Sequence, residues 1–249
     1  MPSPKPKYRE VDTPSISANQ LAAYLNAGPA ARKRIIRDAR WQSTAVVSRY
    51  QQARKAISAC LCDAIKSPNT FAQHRQALVD RLSNESNTVW TKADLESSIE
   101  ALDKYASSLN QTGLNKLNCK GITGPVPPLS IGGLRVKVTP DVTVHRAGKG
   151  EAESSVGAIV TMIAKGEGST TKRKEQARTA AVLVWMFAQA HLGKTGIPDR
   201  AICFSYDVFD GQLIPAGANI TTRIKNIEAA CEEIAHAWPN ATPPDDLDD

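Results

Sequence analysis

Apolar residues in the first 110 positions recur three or four apart. Val46, Val47, Tyr50, Ala53, Ile57 and Leu61 form such a stripe, predicting an amphipathic helix from about Thr44 to Ile65. Its neighbours announce themselves by their ends. Ser17 is followed by Gln20 at the third helical position, and Ile16 can staple onto Leu21, which together predict a helix start. Gly28 closes that helix, and Pro29 suits the first turn of a second helix reaching about Arg40. Ser67-Pro68 opens a further helix to about Leu82, and Thr91 with Asp94 opens one that ends near Leu109.

The period changes after Gly113. The cluster Gly121-Ile-Thr-Gly-Pro-Val-Pro-Pro breaks regular structure and predicts a seam. From Leu134 to Val144 apolar and polar residues alternate, the two-residue period of a half-buried strand, interrupted at Pro140. Val156 to Ala164 is more continuously apolar, as expected of a strand covered on both faces. A long helix is predicted over 172–192, a hairpin over 201–214 turning at Asp210-Gly211, and a last amphipathic helix over 222–238. The predicted organisation is a flexible basic arm (1–14), a helical region (15–112), an α/β core (129–239) and a disordered acidic tail (240–249).

With 249 residues, 41% hydrophobic and 22% charged, the chain is long enough for a sizeable core and too apolar for wholesale disorder. The longest apolar run, Ala180–Ala188, falls far short of the roughly 20 residues of a membrane span. The start, Met1-Pro-Ser-Pro-Lys-Pro-Lys, lacks the apolar stretch of a signal peptide, so a cytoplasmic location without a membrane partner is expected. The five Cys include no CxxC pair and the four His no ligand spacing, which predicts packing cysteines rather than a structural zinc site. Thirteen aromatics, 5% of the chain, are too few for a broad base-stacking platform.

Charge adds a positive indication. The chain carries a net +6, yet residues 1–60 alone hold eleven cations against three anions, so the excess is concentrated there. On the second helix Lys33, Arg37 and Arg40 lie three or four apart and share a face, with Arg34 beside them. Such a face could neutralise several phosphates without reading sequence. Lys172 and Arg173 open the long helix, where cations oppose the helix dipole, a misfit that suits binding.

The element order from residue 129 resembles the PD-(D/E)XK nuclease superfamily, whose core packs helices on both sides of a small mixed sheet. The matching residues are Val136-Lys-Val-Thr-Pro-Asp141 at a strand bend, then the Gly157–Ala164 strand, then the long helix. The resemblance implies a restriction-endonuclease-like α/β (α+β) fold of bacterial or mobile-element origin. It makes Asp141 the first metal-binding acid and Lys165 the candidate catalytic lysine. The motif needs two carboxylates converging on Mg²⁺ or Mn²⁺, with the lysine supporting the attacking water. Here the chain departs from it: no acid lies between Val156 and Lys165, and the residue two before Lys165 is Ile163. Glu151, Glu153 and Glu167 sit in flanking loops, with Glu153 the candidate second ligand. The expected function is therefore a nucleic-acid-associated protein (DNA or RNA) with a degenerate nuclease site and no certain cofactor. An active Mg- or Mn-dependent nuclease using Asp141, and a protein-interaction subunit, are the alternatives.

Overall fold

A computed structural model describes residues 8–44, 49–148, 154–165, 170–217 and 220–244. It is an α+β protein with mixed sheets. The elements begin with β1 (Tyr8–Glu10), β2 (Ser15–Ser17), α1 (Ala18–Leu25), α2 (Pro29–Arg40), β3 (Trp41–Ser43), α3 (Gln51–Cys62), α4 (Pro68–Leu82) and α5 (Val89–Ser108). Next come β4 (Asn118–Gly121), β5 (Leu129–Ile131), β6 (Leu134–Lys137), β7 (Val142–Arg146) and β8 (Ser155–Met162). Then follow α6 (Thr170–His191), β9 (Ile197–Pro198), β10 (Phe204–Asp207), β11 (Gln212–Pro215) and α7 (Ile220–Ala237). The chain divides into two compact units, one formed by residues 1–47, 126–138 and 219–249, the other by 48–125 and 139–218.

In the first unit β2 pairs in parallel with β6, and β6 pairs antiparallel with β5. Ile16, Leu21, Tyr24, Val136, Ile227, Ile234 and Trp238 are buried in this unit. The expected capping box is present. Ser17 Oγ accepts from the Gln20 amide at 3.2 Å while Gln20 Oε1 accepts from the Ser17 amide at 3.0 Å. The expected arm is corrected in part. Tyr8–Glu10 pairs antiparallel with Trp41–Ser43, and Trp238 Nε1 donates to the Val11 carbonyl at 3.1 Å. The expected disordered tail over 240–249 is likewise corrected in its first residues. Trp238–Asn240 forms a 3-10 turn, the Ala241 carbonyl accepts from Trp41 Nε1 at 3.2 Å, and Pro244 is buried. Residues 1–7 and 245–249 lie outside the described residues.

The second unit is built on a six-stranded mixed sheet in the order β11-β10-β8-β7-β4, with β9 pairing β8. β4, β7 and β8 form an antiparallel meander. After α6 the chain returns in β10, parallel to β8, and folds back antiparallel as β11. β8 is buried along six consecutive residues, as its continuous apolar run predicts. Helices cover both faces. Val142, Ile159 and Tyr206 belong to one core with Ile57 and Leu61 of α3 and Leu102 and Tyr105 of α5. Strand alternation turns Ala158, Val160 and Asp207 to the opposite face, where α6 packs on β8 and β10. Cys60, Cys119, Cys203 and Cys231 are buried free thiols and Cys62 is half-buried, in line with packing roles.

Further expectations change. The alternating stretch 134–144 is two strands, and the residues on either side of Pro140 serve different sheets. β6 belongs to the first unit and β7 to the second. Proline lacks the amide that a continuous ladder needs, and it restrains the preceding residue. The segments expected as a helical region (15–112) and as one core (129–239) are each divided between the two units, the first after Val47 and the second after Val138 and Ala218. The third helix is described from Gln51, with Tyr50 before it in a left-handed conformation (φ 62°), and residues 45–48 of its expected start lie outside the described residues. The Tyr50 amide donates to Asp94 Oδ1 at 2.9 Å.

Candidate functional site

Asp141 stands immediately before β7, at one end of the meander's central strand. Its amide donates to the Ile159 carbonyl at 2.7 Å, and its carbonyl accepts from Ser58 Oγ at 3.1 Å. These bonds fix the backbone and drive the side chain inward, leaving it only 5% exposed. There Oδ2 accepts the Thr161 amide of β8 at 2.6 Å, and the Arg54 guanidinium of α3 lies at 3.2 Å from Oδ1 and 3.4 Å from Oδ2. Arg54 also donates to the Thr161 carbonyl at 2.7 Å. Burial raises the Asp141 carboxyl above its ordinary value, and Arg54 and the Thr161 amide pull it part of the way back.

Lys165, the expected catalytic partner, is placed elsewhere. It pairs with Glu100 of α5 and lies 5.8 Å from the centroid of the Phe209 ring. Glu100 holds the Lys165 ammonium above its ordinary pKa. In place of the expected Asp141–Lys165 combination there are thus two separate ion pairs. The reason is local: Asp141 leans toward α3, where Arg54 is already waiting, and Glu100 captures Lys165 beyond the end of β8. Glu151, Glu153 and Glu167 lie outside the described residues. With Arg54 on both oxygens of Asp141, the described donor set does not fit Mg²⁺ or Mn²⁺, which need several oxygen ligands. Among the described residues no group of three His, Cys, Asp or Glu is placed to hold a metal ion.

A second ion pair closes the same end of the sheet on its α6 face. Arg173 donates from Nε to Asp207 Oδ2 and from Nη2 to Oδ1, the latter at 2.6 Å, and lies 3.6 Å from Asp210. Asp207 is 2% exposed and Arg173 is 14% exposed, so this expected phosphate-binding cation is committed inside the protein. Lys172, next to it, is exposed. The two acids raise the Arg173 pKa further, and its charge is permanent.

The basic face of the first unit is better preserved. Pro29 at the first turn launches α2, and Ile36 and Ala39 bury one side of it. Lys33, Arg34 and Arg37 line an open groove of about 590 Å³ together with Ala30, Ile36, Ala237, Asn240, Ala241 and Thr242. Lys33 and Arg34 are exposed, with no ion-pair partner among the described residues, while Arg37 contacts its neighbour Asp38 at 3.0 Å. Arg40 is withdrawn from the face. It pairs with Glu10 at 2.6 Å and donates to the carbonyls of Trp238 and Pro239 at 2.7 and 2.8 Å, clamping the C-terminal turn. Of the six cations singled out by sequence, three share this groove.

Sequence reading missed Arg54, counting it only toward net charge. The signal was present: Arg54 and Ser58 are four residues apart beside the buried stripe Ala53, Ile57 and Leu61, so both reach one partner. No family model and no curated protein matches the chain. No described helix is long and apolar enough to cross a membrane.

Proposed function

We propose that the chain is a nucleic-acid-associated protein that binds phosphates through α2 and carries a degenerate nuclease-like module in its second unit. The observation that carries the binding reading is the convergence of Lys33, Arg34 and Arg37 on one open groove, two of them without an ion-pair partner among the described residues. Cations that the fold does not consume are available to an anionic backbone, and three of them form a sequence-independent contact.

The degenerate reading is supported by what surrounds Asp141. The nuclease resemblance calls for an acid at a strand end, a second acid on the next strand and often a third from a preceding helix. This chain has the first, Asp141, on a small mixed sheet with helices on both faces. Its neighbour on β8 is Thr161, and α3 supplies Arg54. A guanidinium thus supplies the positive charge that a divalent ion would bring in an active member, and it offers no site for an activated water. A binding role without phosphodiester cleavage is the function that this chemistry favours.

The test is fluorescence anisotropy of a labelled DNA duplex with Mn²⁺ present and salt varied. Binding is expected, with log affinity falling against log salt at a slope of about −3 for three phosphate contacts. Reversing charge at Arg34 and Arg37 removes it, whereas Asp141→Asn leaves it unchanged. Absence of binding at low salt rejects the reading and points to a protein partner. Duplex cleavage that Asp141→Asn abolishes restores the nuclease.

A further inference from the structure

We propose that the acidic segment Asp245–Asp249 of this chain competes in cis for the α2 groove, so that the phosphate site is held in check by its own C-terminal carboxylates. The groove is partly made of the chain that leads into this segment. Asn240, Ala241 and Thr242 form one wall, opposite Lys33, Arg34 and Arg37 on α2. Arg40 and Trp41 hold that wall through the carbonyls of Trp238, Pro239 and Ala241, and the burial of Pro244 pins the point from which the acidic segment departs. Asp245 follows Thr242 by three residues, a reach of roughly 10 Å in extended chain.

Charge and composition complement the groove. Asp245, Asp246, Asp248 and Asp249 place four carboxylates in five residues, opposite in sign to the three cations of the groove. Leu247 between them matches a groove that also offers Ala30, Ile36 and Ala237. Tethering over so short a distance gives an effective concentration in about the millimolar range, so weak individual contacts suffice for substantial occupancy. Both interactions are electrostatic, and salt weakens them together. The inhibitory half of this proposal rests on the reading of the groove as a phosphate site, whereas the docking half stands without it.

The experiment compares the full chain with a variant in which Asp245, Asp246, Asp248 and Asp249 are changed to Asn, after thermal melts establish that both fold equally. The first readout needs no nucleic acid: the Nε–Hε NMR signals of Arg34 and Arg37. These are expected to differ between the two chains at low salt and to converge at high salt. Identical signals at low salt overturn the proposal. The second readout is duplex anisotropy, in which the Asn variant is expected to bind about fivefold tighter at low salt, an advantage that high salt erases. Equal duplex affinity of the two chains overturns the inhibitory role while leaving nucleic-acid binding intact. Arginine signals that differ while neither chain binds duplex support the docking and reject the phosphate reading instead.

Discussion

Asp141 illustrates how one buried carboxylate can be tolerated once a helix brings it a permanent cation. Its own burial disfavours the ionised form, and Arg54 with the Thr161 amide is what keeps the charge acceptable. Arg54→Ala removes that partner and is expected to destabilise the protein by about 1–3 kcal/mol in urea unfolding, below the full cost of breaking a deeply buried pair because Arg54 is 35% exposed. Asp141→Asn is expected to cost less, since it removes the buried charge and leaves Arg54 able to hydrate. The pH dependence follows from the direction of the shift. A raised carboxyl pKa means that the folded state holds this proton more tightly than the unfolded chain does. The contribution of Asp141 is thus most favourable below its unfolded pKa and is lost as pH rises through the folded value. Carboxyl-carbon NMR should place its midpoint above that of an ordinary aspartate, and Arg54→Ala should move it higher still. His145 runs the other way. Burial and Lys120 depress its pKa, so its contribution is present above the ordinary histidine value and is lost as pH falls through the lowered one. His145→Gln should flatten stability against pH on the acid side of neutrality.

At the scale of the element, legibility followed the local signals. The capping box of Ser17 and Gln20, the Pro29 start of α2, the buried run of β8 and the turn before β11 were all readable because neighbours within a few residues determine them. Ser17→Ala should lower stability by about 1 kcal/mol in thermal or urea melts through loss of the cap. What could not be read was pairing at a distance. The alternation of 134–144 shows a strand but not that its two halves serve different sheets, and nothing near Tyr8–Glu10 announces Trp41–Ser43 as a partner. Asp141 was visible because a strand bend with Pro-Asp is conspicuous, whereas Arg54 lies 87 positions away and becomes its partner only when α3 docks. Gly157 is a related case. A Cβ there would stand 2.2 Å from the Ile202 carbonyl oxygen, so β8 passes that backbone too closely for any side chain. Gly157→Ala is expected to cost about 1–3 kcal/mol, with a lowered melting temperature, since backbone on both sides must shift.

At the scale of the whole molecule, charge is sorted between what the fold consumes and what it leaves outside. Arg40, Arg54 and Arg173 are spent on carboxylates and carbonyls, while Lys33 and Arg34 have no ion-pair partner among the described residues, so counts of basic residues overstate the exposed positive charge. The path of the chain through the two units carries a consequence for biosynthesis. All residues of the second unit precede position 219, but the first unit takes its strands from near both ends of the first 138 residues and α7 from 220–237. A ribosome therefore finishes the unit that begins at residue 48 before it can finish the one that holds residues 1–47 and 219–249. The parallel partnership of Ser15–Ser17 with Arg135–Lys137 must form across about 120 intervening residues and still waits for α7 to cover it. Nascent chains stalled once residue 218 has cleared the exit tunnel should already protect 48–218 from protease while the first 47 residues remain cleavable.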